Sequence, residues 1–244
     1  MTSRSPISHR PRGQGSALYT LRVDKDGAKP QRALAADGRP QRLGTCHWVS
    51  NERLVCEVYG VTRVDLELLP FTRQFAVNAD GGNQKLLSTK RNAYTHGLQL
   101  GGGSIVDWLS NQDGSVMMTR IYSPDNHPGI KLASTQLGLG VDKIDTRTAA
   151  TVAVERPKPD AIEYISDGRG SIRVMGLETR HGGNENSPII YYSYRKQGES
   201  EWQELTKYNY IDRVGFEPFA VDHDKNVVYR FKKKRSNDVL FACV

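Results

Sequence analysis

Apolar and polar residues alternate along most of this chain, in short runs that end at polar or glycine-containing turns. Four of these runs share one pattern, in which an aromatic ring precedes a polar turn by two to three residues. The four copies span residues 46–51, 106–111, 162–167 and 217–222. Their rings, at Trp48, Trp108, Tyr164 and Phe219, are separated by 60, 56 and 55 residues. A fixed period of this size with strand-type content indicates a repeat architecture, and the β-propeller fits it best.

A second set of predicted hairpins alternates with the first. Residues 18–27 and 74–81 alternate apolar and polar positions and then turn at Asp26-Gly27 and Asp80-Gly81. Asp-Gly between alternating runs is a strong hairpin signal, because the turn needs residues that tolerate positive φ. We therefore expect inner hairpins over 44–60, 104–122, 161–178 and 215–231, and outer hairpins over 17–35, 73–88, 130–155 and 188–206.

These elements predict an all-β chain with about four propeller blades of four-stranded antiparallel sheet. Residues 1–16 are predicted to form a flexible leader, and residues 17–244 the blades, with partial first and last blades. Residues 66–71 fit either a strand or a short helical turn, and 239–244 is expected to be a strand without a partner. The end strands either pair to close a small ring or belong to an arc of a larger ring. The unpaired final strand favours the arc, whose open edges would invite self-association.

The composition, with 37% hydrophobic and 25% charged residues, predicts a soluble globular protein. No stretch has the length and apolarity of a membrane span, and residues 1–16 lack the apolar core of a signal peptide. These features predict a cytoplasmic location. The formal net charge is +7, with one dense basic run at 232–235. Because no nucleic-acid motif accompanies that run, we interpret it as a solvated hairpin end rather than a polyanion contact.

The chain has three cysteines, Cys46, Cys56 and Cys243. If the first inner hairpin turns at residues 51–52, Cys46 faces Glu57 and Cys56 faces His47. Neighbouring residues on a strand point to opposite faces, so Cys46 and Cys56 would point apart, which disfavours a disulfide. The sequence therefore predicts reduced, buried thiols in a reducing compartment.

The four repeated rings fit two interpretations, a ligand-binding surface and packing between neighbouring blades. Their regular recurrence favours packing, and burying one such ring contributes about 2–3 kcal/mol. We therefore expect Trp108→Ala mainly to destabilise the fold.

Candidate catalytic groups are sparse. No Gly-x-Ser-x-Gly pentapeptide occurs, so the signal for an exposed serine nucleophile is absent from this sequence. The glycine-rich segments 13–16, 97–103 and 168–171 are interpreted as turns or loops, since none completes a phosphate-binding motif. Residues 222–224, Asp-His-Asp, form the densest cluster of ligand-type side chains, and we expect a solvated turn there rather than a metal site.

Histidine and cysteine positions add no convincing site. The six histidines, none of which belongs to a close ligand pair, are His9, His47, His96, His127, His181 and His223. A thiolate–imidazole pair between Cys56 and His47 is conceivable across the first inner hairpin, but a packed strand pair is the default. We therefore predict no catalytic, cofactor-binding or metal-binding residue in this chain, and no cofactor.

A family resemblance is carried mainly by the C-terminal half. Residues 156–167 with 170–174, and 215–222 with 226–229, resemble propeller blades of the prolyl oligopeptidase family of serine peptidases. Residues 191–205 are similar to outer hairpins of the same proteins. The bacterial dipeptidyl-aminopeptidase and acylaminoacyl-peptidase types are most similar, and the resemblance covers roughly residues 17–244.

In that family, an N-terminal propeller caps an α/β-hydrolase domain, limits access to short peptides and supplies some binding groups. The catalytic Ser, Asp and His belong to the hydrolase domain, which this sequence does not contain. The resemblance therefore implies an accessory role, with a hydrolase domain and peptide substrates as partners. The leading hypothesis is a non-catalytic segment that gates or helps bind peptides. The alternatives are a stand-alone propeller that binds another protein and a polyanion-binding β protein.

Overall fold

The regular secondary structure of the described chain is entirely β-strand. The computed structural model describes residues 4–9, 15–88, 100–110, 114–124, 135–181, 185–234 and 237–243. Their strands form five antiparallel sheets, in agreement with the all-β prediction. Within these residues, no helix exists that has the length and apolar character needed to cross a membrane.

The sheets follow one another along the chain, and the strands of each sheet pair in sequence order. Sheet 1 contains β1 (Arg4–His9), β2 (Ser16–Arg22) and β3 (Gln31–Ala36). Sheet 2 contains β4 (Gln41–Ser50), β5 (Arg53–Val64), β6 (Glu67–Asn78) and β7 (Lys85–Leu86). Sheet 3 contains β8 (Ile105–Asp107), β9 (Ser115–Tyr122), β10 (Gly138–Asp145) and β11 (Thr151–Lys158).

The remaining strands form two further sheets. Sheet 4 contains β12 (Ala161–Ser166), β13 (Ile172–His181), β14 (Glu185–Tyr194), β15 (Gln203–Asn209) and β16 (Val214–Gly215). Sheet 5 contains β17 (Ala220–Val221), β18 (Val228–Lys234) and β19 (Asn237–Cys243). Sheets 2, 3 and 4 each join one predicted inner hairpin to the outer hairpin that follows it. This succession of antiparallel sheets of about four strands confirms the β-propeller prediction.

The Asp-Gly turns lie where the sequence predicts them. Gly81, in the turn between β6 and β7, has a φ of +88°, which side chains with a Cβ rarely adopt. A Cβ at this position would also lie 2.9 Å from the carbonyl oxygen of Arg32 on the neighbouring sheet. The glycine therefore serves both the turn and the close approach of sheets 1 and 2.

Four apolar clusters hold consecutive sheets together. The first three join sheets 1 and 2 (including Leu18, Leu54 and Val77), sheets 2 and 3 (including Val55, Val116 and Met118), and sheets 3 and 4 (including Met117, Tyr164 and Ile172). The fourth joins sheets 4 and 5 and includes Val174, Tyr192 and Val228. Central strands contribute to both neighbours because successive side chains point to opposite faces. Met117 and Met118, for example, belong to different clusters.

A buried arginine links sheets 2 and 3. The Arg53 side chain donates hydrogen bonds of 2.7 Å to the side-chain oxygen of Asn78 and to the carbonyl oxygen of Asn83. It also donates to the carbonyl oxygen of Thr146 on the next sheet. Arg53 is only 1% exposed, and burial is the main cause that lowers its pKa. On sheet 4, Arg173 makes an equivalent link, because it donates to Arg195 and to Asn226 of the next sheet.

The cysteine prediction is wrong for the first pair. Cys46 and Cys56 lie directly opposite each other on β4 and β5 and form a disulfide, with their Cα atoms 4.0 Å apart. A register shift between Trp48 and Ser50 inserts one extra residue on β4. This bulge moves the pairing at Cys46 by one position, so both side chains lie on the same face of the hairpin.

Three further segments resolve questions that the sequence left open. Residues 67–71 belong to strand β6, so the strand interpretation of 66–71 is correct and the helical turn is not. The final strand β19 is paired along its length with β18, which differs from the expected strand without a partner. Within the proposed leader, Arg4–His9 forms strand β1, which pairs with β2. The division into leader and blades otherwise stays a prediction.

Candidate functional site

A cavity of about 960 Å³ lies where the first strands of sheets 3, 4 and 5 meet. Most of its wall comprises residues of β8, β12 and β17 together with the loop residues Gly101, Gly103 and Ser104. Residues of β6, β9 and β10 also contribute to the wall, namely Thr72, Thr119, Ile121 and Leu139. Strand β12 contacts both β8 and β17, which places it in the middle of the wall. The cavity is thus formed mainly by the first strands of three consecutive sheets.

Close packing of glycine main chain shapes one side of the cavity. Gly103 has a φ of +84°, and a Cβ there would lie 2.2 Å from the carbonyl oxygen of Thr119. The glycine run 101–103 was predicted only as a loop between blades. Gly103 has to lack a side chain to lie against β9, which explains why no side chain fills this part of the cavity.

The wall also carries exposed apolar side chains. The register shift between Ala161 and Glu163 leaves Ile162 without a partner on β13, and Ile162 is exposed on the cavity wall. Bulges redirect side chains in this way. Ile121 and Phe219 are also exposed and line the same space.

The four repeated aromatic rings do not share one environment. Tyr164 is buried in the cluster between sheets 3 and 4, and its hydroxyl donates to the carbonyl oxygen of Leu139 at 3.1 Å. Trp48 and Trp108 pack against the clusters on either side of sheet 2. These three rings agree with the packing prediction. Phe219 does not, because it is 60% exposed on the cavity wall.

Phe219 lies at one end of a strand rather than inside it. It lies just before the short strand β17 and contacts Phe231 in an edge-on geometry, with ring centroids 4.4 Å apart. The repeat therefore keeps the aromatic residue type while the last copy places it at the surface of the cavity. Position in the repeat alone did not reveal this difference.

Glu163 is the acidic group at the centre of the wall. It lies opposite Gly176 on β13, which in turn lies opposite Tyr192 on β14. A Cβ on Gly176 would lie 2.9 Å from the Tyr192 ring, so the ring crosses the bare main chain of the glycine. The Tyr192 hydroxyl thereby reaches Glu163 and donates a hydrogen bond of 3.0 Å to its Oε2 atom.

The surroundings of Glu163 disfavour its negative charge. Burial is the main cause that raises the pKa of Glu163, and the nearby Glu217 carboxylate raises it further, while the Tyr192 hydrogen bond opposes both. Tyr192 is buried, and its own pKa is raised by that burial and by the Glu163 charge. Sequence analysis missed this pair, because its geometry depends on the registers of three strands.

Asp167 lies at the edge of the cavity in the turn between β12 and β13, with a buried carboxylate. Burial raises its pKa, but hydrogen bonds outweigh that effect and leave the pKa below its usual value. The donors are the His223 ring, 2.9 Å away, and the main-chain N–H groups of Arg169 and Ser171. The Arg173 guanidinium lies 3.7 Å from the same carboxylate. Asp167 is therefore a satisfied anion that holds the turn in place.

The histidine of the 222–224 cluster joins sheets 4 and 5. The turn prediction is correct, because the Asp222 carboxylate accepts from the N–H groups of Asp224 and Lys225. His223, however, is directed at the buried Asp167 rather than being freely solvated, and its Nε2 atom lies 3.0 Å from the side-chain amide of Gln197. In a Ser-His-Asp triad that second position holds the hydroxyl of the nucleophile. Here an amide occupies it, so the pair serves as a link between sheets.

The other described candidate residues from the sequence lie in a disulfide, a ring contact and a turn. Cys56 is in the disulfide, and the His47 ring packs on Trp108 with centroids 4.5 Å apart, so a thiolate–imidazole pair does not form. Residues 168–171 form a turn, as predicted. In the part of the chain that the structure describes, no three His, Cys, Asp or Glu residues lie together as a metal site. Some residues that the sequence analysis discussed have side chains outside the described part of the structure. They are His9, His96, His127, His181, Cys243, residues 13–14, 97–99 and the basic run 232–235.

Comparisons with known proteins add little to this description. No family model matches the chain, and no curated protein matches it. Among solved structures, TolB from Acinetobacter baumannii is similar, with a TM-score of 0.30 and 11% sequence identity. The similarity covers 98% of this chain and 60% of the TolB chain. At this level the similarity supports no conclusion about function.

Proposed function

We propose that this chain is a non-catalytic β-propeller module whose cavity binds a polypeptide segment. In this role it would gate or help bind peptide substrates for a prolyl oligopeptidase-type serine peptidase. The observation that carries the proposal is the cavity of about 960 Å³ between β8, β12 and β17. Its size is in the range of ligand sites in proteins, and its mixture of apolar and polar groups is typical of them.

The non-catalytic part of the proposal is supported by the surroundings of His223. The partner of its Nε2 atom is the Gln197 amide, which cannot act as a nucleophile. The sequence also lacks the Gly-x-Ser-x-Gly pentapeptide of α/β-hydrolases. Incubation of the purified chain with a peptide mixture, followed by mass spectrometry, is expected to show no cleavage. Cleavage that co-purifies with the chain would refute this part.

The binding part is tested with a random library of heptapeptides whose ends are acetylated and amidated. We expect the immobilised chain to enrich a subset of the library. Ile162→Trp should obstruct the middle of the cavity and strongly reduce enrichment, because Ile162 is an exposed part of its wall. Val152→Trp, at an exposed residue of β11 that does not line the cavity, is the matched control and should retain it. Enrichment that survives Ile162→Trp would place binding elsewhere and contradict the proposal.

The alternative of a stand-alone module for protein–protein binding has one specific observation in its favour. The long hairpin of β5 and β6 exposes apolar side chains near its turn, with Leu66 88% exposed and Leu68 and Val61 also exposed. Exposed apolar groups of this kind mark interaction surfaces. A partner whose binding is lost in Leu66→Ser/Leu68→Ser but unchanged in Ile162→Trp would favour this alternative.

A further inference from the structure

The cavity wall contains a carboxylate for which the described residues provide no cation. Among the described residues that line the cavity, the only charged side chains are those of Glu163 and Asp167. Asp167 is satisfied by His223 and by main-chain donors. The described residues give Glu163 one hydrogen bond, from Tyr192, although a carboxylate can accept about four. Glu163 therefore has acceptor capacity to spare.

The charges around Glu163 make this capacity selective. The charged neighbour with the strongest influence on it is another carboxylate, Glu217. A half-buried carboxylate beside a second anion costs free energy, and a cation placed against it recovers part of that cost. A neutral donor would satisfy an oxygen of Glu163 without compensating its charge, and an anionic group would add to the repulsion.

The apolar part of the wall suits the rest of a cationic side chain. Lysine and arginine carry long apolar stems that pack on hydrophobic surface while the charged end reaches a polar partner. Ile162 and Phe219 provide such surface in the same cavity as Glu163. The exposed ring of Phe219 is also able to attract a cation through its π face.

We infer that the cavity selects polypeptide segments that carry a lysine or arginine, whose charged end binds the Glu163 carboxylate. This inference rests on the proposed peptide-binding function and specifies its ligand. The net charge of the chain is +7, so its surface as a whole repels cationic peptides. Selection for basic residues must therefore come from a local site.

The test compares the parent with Glu163→Gln in the blocked heptapeptide library. The glutamine carbonyl keeps an acceptor for Tyr192, so the variant preserves the local structure while removing the charge. We expect the parent to enrich peptides with lysine or arginine and Glu163→Gln to lose that preference while still enriching apolar peptides. Glu201→Gln, at an exposed residue far along the chain from β12, is the control and should behave as the parent.

The Kd values of a selected arginine peptide and of its citrulline counterpart then measure how much the charge contributes to binding. A hydrogen-bonded charge pair in a partly buried site corresponds to roughly a tenfold difference in Kd between the two peptides. The difference should vanish in Glu163→Gln. Enriched peptides without basic residues, or a preference that survives Glu163→Gln, would overturn the inference and leave the proposed function standing. Enrichment of no peptide at all would overturn both.

Discussion

The Tyr192 hydroxyl donates a 3.0 Å hydrogen bond to the Glu163 carboxylate, although an intervening strand separates the two residues. Gly176 makes this contact possible, because the tyrosine ring lies over its main chain. A position that the sequence presents as an ordinary glycine in a strand is thus part of the candidate site. It allows the Tyr192 hydroxyl to reach an acidic group on the cavity wall.

Gly176→Ala is predicted to disrupt this arrangement. The new Cβ would lie 2.9 Å from the Tyr192 ring and 3.3 Å from Ile190, so the ring must shift. Overpacking of this kind costs about 1–3 kcal/mol. Urea unfolding followed by fluorescence measures the change. Gly101→Ala is the control, since a Cβ added there would have no neighbour within 4 Å, and it should alter stability by less than about 0.5 kcal/mol. Equal stabilities for the two variants would contradict the packing argument.

The two carboxylates of the cavity should affect stability with opposite dependence on pH. The folded-state pKa of Asp167 is lowered, so its stabilisation is present above the usual pKa of about 3.9 and is lost as pH falls through the folded value. The folded-state pKa of Glu163 is raised, so stability declines as pH rises above the usual value of about 4.3. At pH 7 we expect Asp167→Asn to be less stable than the parent and Glu163→Gln to be more stable. Urea titrations between pH 3 and pH 7 should show that both differences in unfolding free energy from the parent become smaller at acidic pH. If at pH 7 the two variants were both more stable or both less stable than the parent, the two pKa shifts would be refuted.

Arg53→Met is predicted to weaken the junction between sheets 2 and 3. The variant keeps much of the side-chain volume but leaves the carbonyl oxygens of Asn83 and Thr146 without their buried donor. An unsatisfied buried polar group costs about 1–3 kcal/mol, so the total loss should be about 2–5 kcal/mol. Arg63→Met, at the exposed end of β5, removes the same charge and is expected to be almost neutral. Thermal and urea unfolding should therefore show a clear difference in stability between the two variants. Equal losses of stability would contradict the proposed role of Arg53 between sheets 2 and 3.

Trp108→Ala and Phe219→Ala separate packing from ligand binding. Trp108 packs against the cluster between sheets 2 and 3, so its removal should cost about 3–5 kcal/mol. Phe219 is largely exposed on the cavity wall, so its removal should change stability little and reduce peptide binding. The measurements are urea unfolding and affinity for a selected library peptide. If Trp108→Ala unfolds like the parent, the repeated ring has no packing role there.

The disulfide between Cys46 and Cys56 has a direct chemical test. In denaturant without reductant, we expect one reactive thiol per chain, and all three cysteines of the sequence after reduction. Replacing both cysteines by serine should cost about 3 kcal/mol, as expected for a short closed loop. Three reactive thiols before reduction would contradict the pairing. Disulfides persist in oxidising compartments, so the outcome also bears on the cytoplasmic location, which stays a prediction.

The fold was accessible from the sequence because its signals are local. Alternating residues and the Asp-Gly turns each report on a few neighbouring positions, and they predicted most hairpins correctly. The aromatic rings add a local pattern that recurs along the chain, which indicated the repeat. The disulfide could not be predicted from such local signals. A single extra residue near Trp48 changes which cysteine atoms meet, and no local pattern marks where a bulge occurs.

The candidate site depends on relations between strands that are distant in sequence. Glu163 and Tyr192 meet only if two pairings are in register and the residue between them is a glycine. The link from His223 to Asp167 likewise joins turns of two different sheets. Residue types alone predicted the turn at 222–224 but could not reveal which buried carboxylate its histidine contacts. The exposure of Phe219 was missed because a repeated position was assumed to have a repeated environment.

Each of the four apolar clusters joins two consecutive sheets, and this arrangement has an evolutionary consequence. A gene segment that encodes one sheet carries half of the interface on either side of it. Duplication or deletion of such a segment by recombination therefore replaces one junction with another of similar kind. A repeat architecture of this kind can therefore gain or lose one sheet at a time and still keep an apolar junction between each pair of neighbours.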